Sequence, residues 1–114
     1  MERADKAGDL LGLARRAGKL TLGAGATESA FGRGSICALV LASDTAPRPA
    51  MKFKALAHAR GVPCYSFSSK GEFGRRFGRQ EVGILGVLDR FLAGALARHF
   101  EQHPPAPGAA AGNL

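Results

Sequence analysis

Apolar positions along this chain recur in two rhythms. In residues 5–17, Leu10, Leu11, Leu13, Ala14 and Ala17 form one stripe of a helix, with Arg15 and Arg16 outside it and Gly18 placed to stop it. Lys19, Leu20, Thr21 and Leu22 alternate polar with apolar, as a short strand with one wet face does. Residues 23–29 turn into a short second helix that carries Ala30 and Phe31 and ends near Arg33 and Gly34. Residues 36–42 are apolar almost without a break, which predicts a central strand buried on both faces. A loop rich in turn residues then opens a third helix over residues 50–60, with Met51, Ala55, Leu56 and Ala59 inward, Arg48 and Lys52 outward, and Gly61 at its end. Residues 62–67 read as a strand whose Pro63 stands at the start, where a missing N–H is tolerated.

The second half repeats the alternation. Ser69 with Glu72 three residues later is a capping box. The helix it opens carries Phe73 and Phe77 on one stripe and Arg75 and Arg79 on the opposite face, with Arg76 beside them and Lys70 in the first turn. Residues 84–88 are the last strand, and Asp89 caps a fifth helix with Phe91, Leu92, Ala95, Leu96 and Phe100 inward. Residues 1–102 are expected to form a single domain, and residues 103–114, built from Pro, Ala and Gly, a disordered tail. Helices alternating with strands predict an α/β fold with helices on both faces of a sheet. Its loops after Leu22, after Ala42 and over residues 78–83 are expected to share one end.

Charge sharpens this picture. The chain of 114 residues has a net charge of +7. Residues 45–80 hold eight basic residues and one acid, Glu72; the remainder holds eight of each, so that one third of the chain supplies the whole excess. Arg outnumbers Lys eleven to five, and the planar guanidinium suits phosphate and base edges better than an ammonium does. This is the footprint of a nucleic-acid binder. No apolar run approaches the roughly 18 residues of a membrane span, and the N-terminus leads into an amphipathic helix rather than a secretory signal, so a cytoplasmic protein is expected. Cys37 and Cys64 lie far apart in apolar runs and read as reduced, buried small side chains; His58, His99 and His103 are scattered. Neither a catalytic residue, a metal nor a cofactor is expected.

A rival reading starts at Gly23, Ala24, Gly25, Ala26, Thr27 and Glu28, which follow a strand and open a helix, with Asp44 ending the next strand 21 residues on. That mimics a dinucleotide-binding fingerprint. Against it, Glu28 stands where Gly or Ala is needed, and there is no room for a substrate domain. A further alternative is a protein-interaction module of the ribosome or of the transcription machinery.

Taken in order, Leu10 to Lys19, Gly23, Ala30, Gly34, Leu39 to Asp44, Gly61 to Pro63, and the spaced set Ser69, Lys70, Phe73, Gly74 and Gly78 resemble the L-seven-Ae family of RNA-binding ribosomal proteins, especially its small bacterial members. The resemblance implies a three-layer α/β/α sandwich with a mixed four-stranded sheet, as in ribosomal L-thirty-e-like folds. It implies binding of structured RNA, such as ribosomal RNA, often at sharply bent kink-turns; a monomer is expected. Family contacts map here onto Gly25, Ala26, Ser29 and Arg33, onto Asp44, onto Lys70, and onto Arg79, Gln80, Glu81 and Val82; Gly23 and Arg75 join them from the helix-opening turn and the basic helix. The sequence departs from the kink-turn pattern where Gly25, Ala26 and Ser29 replace the usual Asn, Glu and Lys. Weaker discrimination of a kink-turn from a plain duplex is therefore expected.

Overall fold

The structure, a computed structural model, describes residues 3–104. Its elements are α1 (Arg3–Arg16), β1 (Leu20–Leu22), α2 (Ala24–Gly32), β2 (Ala38–Leu41), α3 (Pro47–Arg60), β3 (Cys64–Ser66), α4 (Lys70–Phe77), β4 (Ile84–Val87) and α5 (Arg90–Gln102). Apart from His103 and Pro104, the expected tail lies outside the described residues.

The sheet order is β1-β4-β2-β3. β2 and β3 are parallel, and β4 runs antiparallel to both β1 and β2, so the sheet is mixed. Alternation along each strand sends side chains to opposite faces. Val40, Leu85 and Val87 meet Leu11, Phe73, Leu96 and Phe100 of α1, α4 and α5. Leu39, Leu41 and Ile84 meet Ala30, Phe31, Phe53 and Ala57 of α2 and α3. Three layers result. β1 and β2 run parallel, but β4 is inserted between them, so the unit β1-α2-β2 that carries the Gly23–Glu28 pattern is not the adjacent βαβ pair that a dinucleotide fold requires.

Several inward faces differ from the pattern read in sequence. In α1, Ala7, Leu10, Leu11 and Ala14 are buried, while Leu13 and Ala17 are exposed. The α3 helix starts three residues earlier than expected, with Pro47 in its first turn, and buries Phe53 and Ala57. Met51, Ala55 and Ala59 face solvent. In α5, Ala93, Leu96 and Phe100 are buried, whereas Phe91 is 88% exposed. Residue 91 stands two positions before residue 93, about 200° around the helix from it. Strand β1 has no wet face. Thr21 is buried, its Oγ1 is 2.8 Å from Oγ1 of the fully buried Thr27 in α2, and Gly86 lies opposite it. A Cβ at Gly86 would stand 2.6 Å from Thr21 Oγ1, so the glycine leaves room for the Thr21 hydroxyl and the Ile36 side chain beside it. Both cysteines are free and half-buried. Burial pushes the Cys64 thiol up to about 11, against the opposing charge of Lys54, and it stays protonated at neutral pH.

Among the described residues no helix is long and apolar enough to cross a membrane.

Candidate nucleic-acid interface

The end of β1, the end of β2, the end of β3 and the start of β4 lie together, because Leu22 pairs with Leu85, Leu41 with Ile84, and Leu41 with Ser66. Four connections therefore converge there. Gly23 donates its N–H to Ile84 O at 2.7 Å, and Ala42 donates to Gly83 O at 2.9 Å. The Ser43 N–H reaches Ser68 O at 3.0 Å. Ser68 holds φ 62°, the left-handed region, which costs roughly 1–2 kcal/mol for a residue with a Cβ. The loops after Leu22 and Ala42 thus share one end with residues 78–83.

Three helices begin at this end: α3 opens on Pro47, with Ala46 as its N-cap and no side-chain cap, while α2 and α4 differ in how their first N–H groups are used. Gly23, the N-cap of α2, has φ 94° and offers no side-chain cap. The first N–H groups of α2, from Ala24, Gly25 and Ala26, have no carbonyl one turn earlier to bond, and all three residues are exposed. Beyond Gly25 Cα nothing lies within 4 Å of where a Cβ would stand, so the space above it is open. The start of α4 is filled instead. Ser69 Oγ accepts from Glu72 N at 3.1 Å, the Ser69 half of the expected capping box, while the Glu72 carboxylate turns to Arg75; Asp44 Oδ1 accepts from Lys70 N at 2.8 Å. Asp44 is exposed, but one of its oxygens ties the β2 loop to α4.

The segment after α4 folds back along that helix. Gly78 takes φ 72° as the C-cap, so Arg79 lies beyond the helix rather than on its outer face. Arg79 N donates to Gly74 O at 2.7 Å, and Val82 N to Lys70 O at 3.1 Å. A Cβ at Gly74 would stand 2.5 Å from Gln80 O and 2.7 Å from Arg79 O, and only glycine lets the segment pass so close. Arg79, Gln80 and Glu81 are exposed, while Val82 is 3% exposed and packs into the core. Thr45, which carries no obvious functional signal in the sequence, donates its Oγ1 hydrogen to Gly83 O at 3.0 Å and locks the junction.

The convergent end thus brings together Gly23, Gly25, Ala26, Asp44, Lys70, Gln80 and Glu81. Ser29 is exposed one turn further along α2. Arg33, the C-cap of α2, stands at the other end of a nine-residue helix, about 13 Å away.

The electrostatics are less one-sided than the linear charge ledger. Lys70 Nζ is 3.9 Å from Glu81 Oε1, Arg75 Nη1 is 2.9 Å from Glu72 Oε2, and Arg76 Nη1 is 3.7 Å from Asp9 Oδ1. The Arg76 guanidinium reaches over Gly8, where a Cβ would stand 2.7 Å from Nη2. That arginine joins α4 to α1. Away from this end, Lys52 pairs with Glu28 at 2.9 Å. Among the described residues Arg79 and Arg48 carry no ion pair, and both are exposed.

Residues 5–93 match the profile of the ribosomal protein L7Ae/L30e/S12e/Gadd45 family. Solved structures of similar shape include a protein of unknown function from Bacillus halodurans C, at 27% identity and a TM-score of 0.78, covering 84% of this chain and 97% of that one. Another is the Giardia lamblia 15.5kD RNA binding protein, at 17% identity and a TM-score of 0.74, covering 90% of this chain and 88% of that one. No curated protein matches the chain.

Proposed function

The chain belongs to the ribosomal protein L7Ae/L30e/S12e/Gadd45 family, and from that premise we propose that it is an RNA-binding protein that docks structured RNA on the convergent end of its sheet. The observation that carries this reading is the open start of α2 beside the exposed Arg79–Glu81 segment. Unused N–H groups at a helix start attract phosphate, reinforced by the helix dipole. Arg79 and Arg48 supply charges that no carboxylate among the described residues neutralises. Lys70, Gln80 and Glu81 line the other wall.

The same geometry argues for a binding protein rather than an enzyme. The carboxylates beside the start of α4 and the segment after it have structural partners: Asp44 holds Lys70 N, Glu72 pairs with Arg75, and Glu81 faces Lys70. The discrimination expected of the α2 start is weak. Base edges are read by side chains, whereas phosphate contacts only position the ligand. Gly25 and Ala26 carry no side-chain donor or acceptor, and Ser29 is short.

The test is competition between a kink-turn RNA and a plain duplex of equal length. It uses the wild type and the variant Gly25→Asn, Ala26→Glu, Ser29→Lys, all at exposed positions. If about four to six phosphates are neutralised, log K should fall with log salt at a slope of about −3 to −5. The wild type should bind both RNAs with little preference, and the variant should favour the kink-turn. No binding to either RNA at about 50 mM salt would overturn the proposal. A wild-type preference of about a hundredfold for the kink-turn, near 2.7 kcal/mol, would move the reading residues to Arg79–Glu81.

A further inference from the structure

At the opposite end of the sheet, β1, β2 and β3 begin and β4 finishes. The C-termini of α1, α2 and α3 arrive there, and α5 leaves from it. Leu88 N bonds Lys19 O at 2.8 Å, and Arg60 Nη1 bonds Phe31 O at 2.7 Å, so these connections touch. Six cations gather at this end: Arg15, Arg16, Lys19, Arg33, Arg60 and Arg90. The one carboxylate among them is Asp89, whose Oδ1 is engaged in capping Leu92 N at 2.9 Å. All six are exposed and without an ion pair among the described residues, and Arg60 alone has its guanidinium on a carbonyl, that of Phe31.

Folding explains part of this cluster. Cations in the last turn of a helix complement its dipole, which covers Arg15, Arg16 and Arg60. It does not cover Arg90, which opens α5, where the dipole disfavours a positive charge. Nor does it cover Phe91, whose 88% exposure is the largest among the exposed large apolar side chains. An aromatic ring in water, next in sequence to Arg90 and at the same end of the sheet as the other cations, contributes nothing to the core. It is the combination that binds unpaired nucleotides: cations track the backbone, and every base has a face that stacks on the ring.

We propose that this end is a second nucleic-acid surface, which takes single-stranded RNA with a base stacked on Phe91 and phosphates on Arg15, Arg16, Lys19 and Arg90. It goes beyond the interface at the convergent end and does not depend on it. The two surfaces lie at opposite ends of the strands, so one protein can hold a structured element and an unpaired segment of the same RNA.

The test measures binding of a fluorescent oligouridine of about 12 nucleotides to the full chain. Phe91→Ala should weaken it roughly tenfold. Arg16→Ala with Arg90→Ala should reduce the salt slope by about two. Arg79→Ala and the α2 triple variant should leave oligouridine affinity within about twofold. Oligouridine affinity unmoved by Phe91→Ala, or abolished by Arg79→Ala, would overturn the proposal. So would a Phe91-dependent dimer seen by sedimentation, with no effect of Phe91→Ala on oligouridine, because the ring would then serve a protein contact. Loss of structured-RNA binding with oligouridine binding intact would sink the convergent-end reading alone.

Discussion

The two ends of the sheet carry basic residues in opposite ways. At the convergent end most charges are engaged: Lys70, Arg75 and Arg76 each face a carboxylate, and Asp44 and Ser69 fill the start of α4. What remains open there is backbone, at the start of α2, with Arg79 and Arg48 among the cations left without an ion pair in the described residues. At the other end the backbone is finished by ordinary caps, and the side chains are what remain open. Fixed backbone donors in a braced pocket suit a ligand of fixed shape. Long, unpaired cations at the same end as an exposed ring suit a chain that has none. Charge density along the sequence therefore says little about where charge is available in space.

The largest effect that separates the two ends is on stability. Phe73 is 2% exposed and meets Phe67 edge-on with ring centroids 5.5 Å apart. Phe73→Ala should destabilise by about 3–5 kcal/mol, whereas Phe91→Ala should stay within about 0.5 kcal/mol. Urea midpoints of the two variants decide it, and equal losses would mean that Phe91 is also packed. Next comes Gly74→Ala, which pushes a Cβ into the backbone of residues 79–80. A net loss of about 1–3 kcal/mol is expected, together with weaker structured-RNA binding and unchanged oligouridine binding. If both RNAs respond alike, the ends are not independent. The smallest effect is that of Asp44→Ala, which removes the acceptor for Lys70 N. About 1 kcal/mol should be lost, with faster amide exchange at Lys70 as the specific sign. An unchanged exchange rate there would show that the clamp is not held in solution.

Legibility in the sequence followed the strength of the local signal. In α4 two phenylalanines at i, i+4 and a capping box admit one solution, and the helix buries Phe73 and Phe77 as read. The α3 helix is different, since its alanines make two stripes nearly equivalent. Phe53 between Lys52 and Lys54 looks isolated, yet it is the side chain that packs, and Met51 is the one left in water. Thr21 reads as the wet half of an alternating strand, because its partner Thr27 sits on a helix the pattern cannot place. The convergence of three loops was readable from strand ends alone. The pairing of charges across α1 and α4, and the gathering of Arg15, Arg33 and Arg90 from three separate segments, were not. They depend on tertiary neighbours no local window contains.

Strand β4, the last in sequence, sits second in the sheet, between β1 and β2. On a growing chain this sets an order of events. Residues 1–83 can pair β2 with β3, but β1 has no partner until β4 has been made. The start of α2 hangs on Ile84 and the β2 loop on Gly83, so the convergent end takes shape only as the final fifth of the described chain emerges. Synthesis at about 5–20 residues per second then leaves an interval in which Arg15, Arg16, Lys19 and Arg33 are already translated while the convergent end is still unformed. During that interval most of the basic residues are already present, and the ordered start of α2 arrives only with β4.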